Sequence, residues 1–103
     1  MLNILTLEDW LDLYSKKIYI IRKLKEFEQG LYNSGKLIKN KEEIGIEEFE
    51  VPNFLFSFKI FKIEKGNIPI KIEIGEIKLS KDEKLCYCID ENYLEEFEKI
   101  FNF

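Results

Sequence analysis

In residues 54–79, FLFSFKIFKIEKGNIPIKIEIGEIKL, the apolar side chains recur at every second position. One arm carries Phe54, Phe56, Phe58 and Ile60, the other Ile68, Ile70, Ile72 and Ile74, and Lys65-Gly66-Asn67 lies between them. Alternation on both sides of a Gly-Asn turn is the pattern of a β-hairpin. Successive side chains of a strand point to opposite faces, so all eight large residues are expected on one face. Ser57, Lys59, Lys71 and Glu73 then occupy the other. The alternation slips once on each arm, after Ile60 to Phe61 and Ile63, and after Ile74 to Ile77 and Leu79. An extra residue in a strand produces such a slip, which predicts a β-bulge on each arm, the second beside Gly75. Pro69 has no amide donor and suits an edge or a place beside the turn.

The flanking segments supply more strands and two helices. Upstream, Ile46 to Val51 reads as a strand, with Phe49 and Val51 opposite Glu48 and Glu50, and Pro52-Asn53 turns it into the hairpin. Lys36 to Lys39 reads as a short edge strand whose lysines discourage edge-to-edge pairing, after a turn at Asn33-Ser34-Gly35. Downstream, Ser80 to Glu83 is a turn and Leu85 to Ile89 a last strand. At the N-terminal end, Thr6 can cap a helix whose first turn carries Glu8 and Asp9. Leu7, Trp10, Leu11, Tyr14, Ile18, Ile21, Leu24 and Phe27 follow in steps of three and four, and Gly30 is the expected stop. The β-prone run Ile18-Tyr19-Ile20-Ile21 is read as part of this helix. Asp90 caps a closing helix, Glu91 to Phe101, with Leu94, Phe97, Ile100 and Phe101 on one side and Glu91, Glu95, Glu96 and Glu98 on the other. The expected architecture is a single α+β domain over residues 1–103: an antiparallel four- or five-stranded meander, with the N-terminal and C-terminal helices packed on one face as a two-layer sandwich.

Composition narrows the function classes. The chain has 103 residues, 46% of them hydrophobic and 15% aromatic, which suits one folded domain with a core built on rings. It contains no uncharged apolar run long enough to span a bilayer, and its start has neither the basic opening nor the short apolar core of a secretion signal, so a cytoplasmic location is expected. Twenty acidic against sixteen basic residues give a formal net charge of -4, which disfavours non-specific contact with nucleic acid or anionic membrane. Histidine is absent, and with it the commonest general base and metal ligand.

The candidate reactive groups are few. Cys86 and Cys88, two apart on a strand, point the same way at about 6.5 Å between Cα atoms and are badly directed for a bond to each other. Without histidine or further cysteine they make a poor zinc set, and packing is the preferred reading. Ser15, Ser34, Ser57 and Ser80 stand in no nucleophile context, and the five glycines are isolated, so no phosphate loop is present. We therefore read the chain as non-enzymatic, with no catalytic residue, no metal and no cofactor. The aromatic strand at Phe54, Phe56 and Phe58 does not match the signature of sheet-surface RNA binders.

Two acidic clusters stand out, Glu42, Glu43, Glu47, Glu48 and Glu50, and Asp90, Glu91, Glu95, Glu96 and Glu98. A concentrated patch of one sign steers a partner of the other. The preferred expectation is a protein-binding module, a small stoichiometric inhibitor of the immunity or anti-defence type or an adaptor, which uses Glu47, Glu48, Glu95 and Glu96 against a protein with a basic or nucleic-acid-handling surface. One alternative is a homo-oligomeric structural or accessory domain that associates through the last strand, where Leu85, Tyr87 and Ile89 oppose Cys86 and Cys88. A second is a nucleic-acid binder using Lys16, Lys17, Arg22, Lys23 and Lys25 of the first helix; Glu26, Glu28 and the overall acidity weigh against it.

Overall fold

The computed structural model describes residues 7–101, with Trp10 placed by its backbone alone. The elements are α1 (Leu7–Asn33), β1 (Glu42–Phe49), β2 (Phe54–Glu64), β3 (Ile70–Ser80), β4 (Leu85–Ile89) and α2 (Glu91–Ile100). All neighbouring strands are antiparallel, in the order β1-β2-β3-β4, so the sheet is a meander of four strands. Both helices cover one face of it. The core between the layers takes Ile20, Leu24, Phe27 and Leu31 from α1, Phe56, Phe58 and Ile60 from β2, Ile74, Ile77 and Leu79 from β3, Ile89 from β4, and Phe97 with Phe101 from the α2 end. Phe27 meets Phe97 edge-on with ring centroids 5.6 Å apart, which pins the two helices together over the sheet.

The hairpin forms as the alternation requires, with the expected bulge beside Gly75 on β3, but the bulge expected after Ile60 on β2 lies elsewhere. Phe56 pairs with Leu79, Phe58 with Ile77 and Ile60 with Gly75, so these apolar residues share the helix-facing side. The next pair is Phe61 with Glu73, which leaves Ile74 as the extra residue, on β3. This one bulge lets Ile70 and Ile72 share a face with Ile77 and Leu79 although their sequence parity differs. β2 runs straight through at that point, so Phe61 and Ile63 turn to the outer face and no bulge follows Ile60 on that arm. The second bulge is at Leu55, between the pairs Phe54–Ser80 and Phe56–Leu79. It sends Phe54 away from the core, and Lys78 lies over its ring at 5.5 Å.

The isoleucine arm is buried only at Ile74. Ile68, Ile70 and Ile72 are 83%, 53% and 43% exposed, because this part of the hairpin reaches past the helices.

No fifth strand forms at Lys36 to Lys39. Gly30 lies inside α1, which continues to Asn33 and closes at Gly35 in a left-handed conformation with φ 78°. The Gly35 amide donates to Tyr32 O and the Lys36 amide to Leu31 O, the crossed pair of bonds that ends a helix on a glycine. Leu37 is then buried as part of the core, which holds this segment against the helix end instead of on the sheet.

β1 begins at Glu42, not Ile46, and ends at Phe49, not Val51. Its first residue is a clamp. The Glu42 carboxylate accepts from the Ile38 amide at 2.8 Å and pairs with Lys62 at 3.0 Å, while its carbonyl accepts from the Tyr32 hydroxyl. The Ile38 amide first, and Lys62 second, hold this carboxyl below its ordinary range. Asp90 caps α2 as expected by accepting from the Asn92 amide. The expected cap at Thr6 lies outside the described residues.

Candidate interaction surfaces

The four glutamates singled out by clustering do not form one patch. Glu47 and Glu48 are neighbours on β1 and so point to opposite faces of the sheet. On the outer face Glu47 pairs with Lys71; on the helix face Glu48 pairs with Lys17 of α1 at 2.6 Å. Glu95 is on the solvent side of α2 and pairs with Lys99. Glu96 is buried, with both carboxylate oxygens within 2.9 Å of the Lys36 ammonium. Burial pushes the Glu96 carboxyl up, but the Lys36 hydrogen bond together with smaller favourable contacts outweighs it, and the group stays below the usual carboxylate range. A buried, paired carboxylate ties the α1 end to α2 and offers no face to a partner.

Three of the five basic residues singled out on α1 are taken up in the same way, while Arg22 and Lys25 are exposed. Lys16 pairs with Asp12 and Glu83, Lys17 with Glu48, and Lys23 with Glu26 while lying 5.6 Å from the centre of the Tyr19 ring. The outer face of the sheet is a lattice of such pairs, Lys59 with Glu73 and Lys78 with Glu76, and Lys59, Lys71 and Lys78 cover the rings of Phe49, Phe61 and Phe54. Cys86 and Cys88 are free thiols on this same outer face and are exposed, not packed in the core. Among the described residues, no three of the cysteines, aspartates and glutamates gather as a metal site would require.

The structure also leaves apolar side chains of α1 uncovered. The buried side of α1 is Ile20, Leu24, Phe27 and Leu31, with Leu13 and Ile21 packed partly against it. Leu7, Leu11 and Tyr14 are 75%, 58% and 62% exposed. At 3.6 residues per turn they form, with half-buried Ile18, a second stripe about 140° around the helix from the first. The expected single stripe fused the two: its first half is this outward row, and only Leu24 and Phe27 belong fully to the core. The signal that separates them is spacing. Leu7, Leu11, Tyr14, Ile18 and Ile21 keep steps of four and three, a repeat of 3.5, which drifts slowly around a helix of 3.6.

These features define a class of architecture, a four-stranded antiparallel meander backed by two helices, one of which carries an apolar row to solvent. Comparison of the chain with protein-family models, with curated proteins and with solved structures returns no match. No helix among the described residues is long and apolar enough to cross a membrane.

Proposed function

We propose that the protein is a non-enzymatic protein-binding module, an inhibitor or adaptor, and that its partner packs along the outward row of α1. The observation that carries this reading is the exposure of Leu7, Leu11 and Tyr14 on a helix that is held to the domain by its other side, through Ile20, Leu24, Phe27 and Leu31. Positions i, i+4 and i+7 are the anchors by which a helix lies in an apolar groove, and a ring with a polar tip is a common centre of such contacts. Among the described residues, these three belong neither to the core nor to the side chains packed against it.

A second reading keeps charge as the determinant. Glu91, Glu95 and Glu98 are exposed on α2, and an acidic helix face suits a partner with a basic surface.

The two are separated by capture of the partner from its native cell, followed by binding measurements between the purified components. Under the first reading Leu11→Lys with Tyr14→Lys abolishes binding without changing the circular dichroism, and added salt has little effect. Under the second, charge reversal of Glu91, Glu95 and Glu98 abolishes it and affinity falls steeply with salt. Retention of full affinity by the α1 variant rules out the α1 row as the contact.

A further inference from the structure

We propose that β4 pairs with β4 of a second copy across a two-fold axis, joining two four-stranded sheets into one of eight strands and setting Cys86 of each copy against Cys88 of the other. Among the described residues no strand pairs with the outer edge of β4. The two edges of the sheet differ sharply. β1, EEIGIEEF, carries four glutamates, the kind of charge that keeps an edge from pairing; β4, LCYCI, carries none.

The hydrogen-bond parity of β4 fits the same register. The Asp90 amide donates to Ile74 O at 2.8 Å and the Ser80 amide to Lys84 O at 2.9 Å. Bonded pairs alternate along an antiparallel ladder, so Cys86 and Cys88 exchange their bonds with Lys78 and Glu76 of β3. Leu85 and Ile89, of the other parity, turn their amides and carbonyls away from β3, toward the free edge.

The segment Lys84 to Asp90, KLCYCID, is complementary to its own reverse. With Tyr87 at the axis, Leu85 meets Ile89 of the second copy in a bonded pair. Cys86 meets Cys88 in a non-bonded pair, where Cα atoms are about 4.5 Å apart. Lys84 meets Asp90 at both ends, so charges of opposite sign close the pairing. Each of these pairs occurs twice. The Tyr87 ring stays on Phe97, 4.9 Å away on the helix side, and takes no part. An apolar groove of about 340 Å³, lined by Tyr19, Ile20, Leu79 and Leu85, runs beside the same edge and extends the contact beyond the strand. This association uses a different face from the α1 row and stands or falls separately from the partner reading.

The thiols report the register. A Cα separation of about 4.5 Å is within disulfide range, whereas Cys88 to Cys88, a diagonal of about 7–8 Å, is beyond it. Diamide takes two electrons and two protons from a facing pair of thiols, forming one S–S bond and the corresponding hydrazine. Purified wild-type protein is expected to sediment as a dimer and to yield covalent dimer with diamide. Cys86→Ser alone and Cys88→Ser alone are expected to sediment as dimers yet yield none, while an equimolar mixture of the two regains it. Cys86→Lys with Cys88→Lys, both at exposed positions, is expected to be folded and monomeric. Leu11→Lys with Tyr14→Lys is expected to leave dimer and cross-link intact. A wild-type protein that stays monomeric at high concentration, or single serine variants that cross-link as readily as wild type, overturns the proposal.

Discussion

Alanine at three glycines tests how the sheet and the first helix are packed, because the same added methyl group meets a different obstacle at each. At Gly75 a Cβ would stand 2.5 Å from the Cys88 carbonyl oxygen, 2.6 Å from Ile89 Cδ1 and 3.0 Å from Ile89 Cα. Carbon and carbonyl oxygen normally approach no closer than about 3.3 Å, so β3 and β4 must part by most of an ångström. Two of these obstacles are backbone, and no rotamer change removes them. Overpacking of this kind costs about 1–3 kcal/mol, offset by about 0.4–1 kcal/mol from the loss of glycine's freedom in the unfolded chain. A net loss of about 1–2 kcal/mol lowers the melting midpoint of a domain this size by roughly 4–15 °C. At Gly45 the near neighbour is the end of the Ile63 side chain, which can rotate, so Gly45→Ala is expected within about 1 kcal/mol of wild type. Gly30 has nothing within 4 Å and lies in helix, so Gly30→Ala is expected to stabilise by about 0.5–1 kcal/mol. Urea titration followed by circular dichroism gives the three midpoints, with an unchanged slope as the sign that only stability has moved. Gly75→Ala at or above wild-type stability, or less harmful than Gly45→Ala, would refute the β3–β4 geometry on which the edge pairing rests.

Two further outcomes follow from buried polar groups. Ser57 is fully buried between its cross-strand neighbours Phe49 and Lys78, and its hydroxyl has no hydrogen-bond partner among the described residues. An unmet hydroxyl in such a place costs about 1–3 kcal/mol, so Ser57→Ala is expected to raise the urea midpoint, and a lowered midpoint would mean that the hydroxyl is bonded. Glu42 has its carboxyl held below the ordinary range in the folded state, so the native protein binds fewer protons there than the unfolded chain. Its stabilisation is complete above the unfolded pKa and is lost as pH falls through the lower folded value. Glu42→Gln is expected to lower stability by about 1.5–3 kcal/mol at neutral pH, with the gap to wild type closing under acid. A gap that is the same at every pH in a series of denaturation curves counts against the Ile38–Glu42–Lys62 clamp.

Much of the fold is local chemistry and is visible in the residues alone. Alternation has a period of two wherever it occurs, so the hairpin arms, the last strand and the antiparallel order follow from the string. Asp90 before a row at helical spacing marks the start of α2 just as plainly. The same rule of alternation already implies that Glu47 and Glu48 point to opposite faces, which makes a shared patch of the two untenable without any coordinates. That the last strand carries no charge was legible as well, whereas the exposure of Cys86 and Cys88, read as packed, was not.

Other features depend on what lies across from each residue. A slip in alternation looks the same whether its own strand or the partner strand bulges, so only the pairing of Phe61 with Glu73 assigns the extra residue to Ile74. α1 carries two apolar rows, and nothing along its length says which one the sheet takes. The choice comes from which row fits over Phe58, Ile60 and Ile77, and it leaves Leu7, Leu11 and Tyr14 outside. Burial of Glu96 depends on Lys36, sixty positions away in the chain. Composition and periodicity thus determined the order of the two helices and four strands and where apolar residues recur along each, because those are set by each residue's own preference and its nearest neighbours. Tertiary structure decided which apolar surface is spent on the core and which is left for another molecule, because that depends on the finite area one layer can cover.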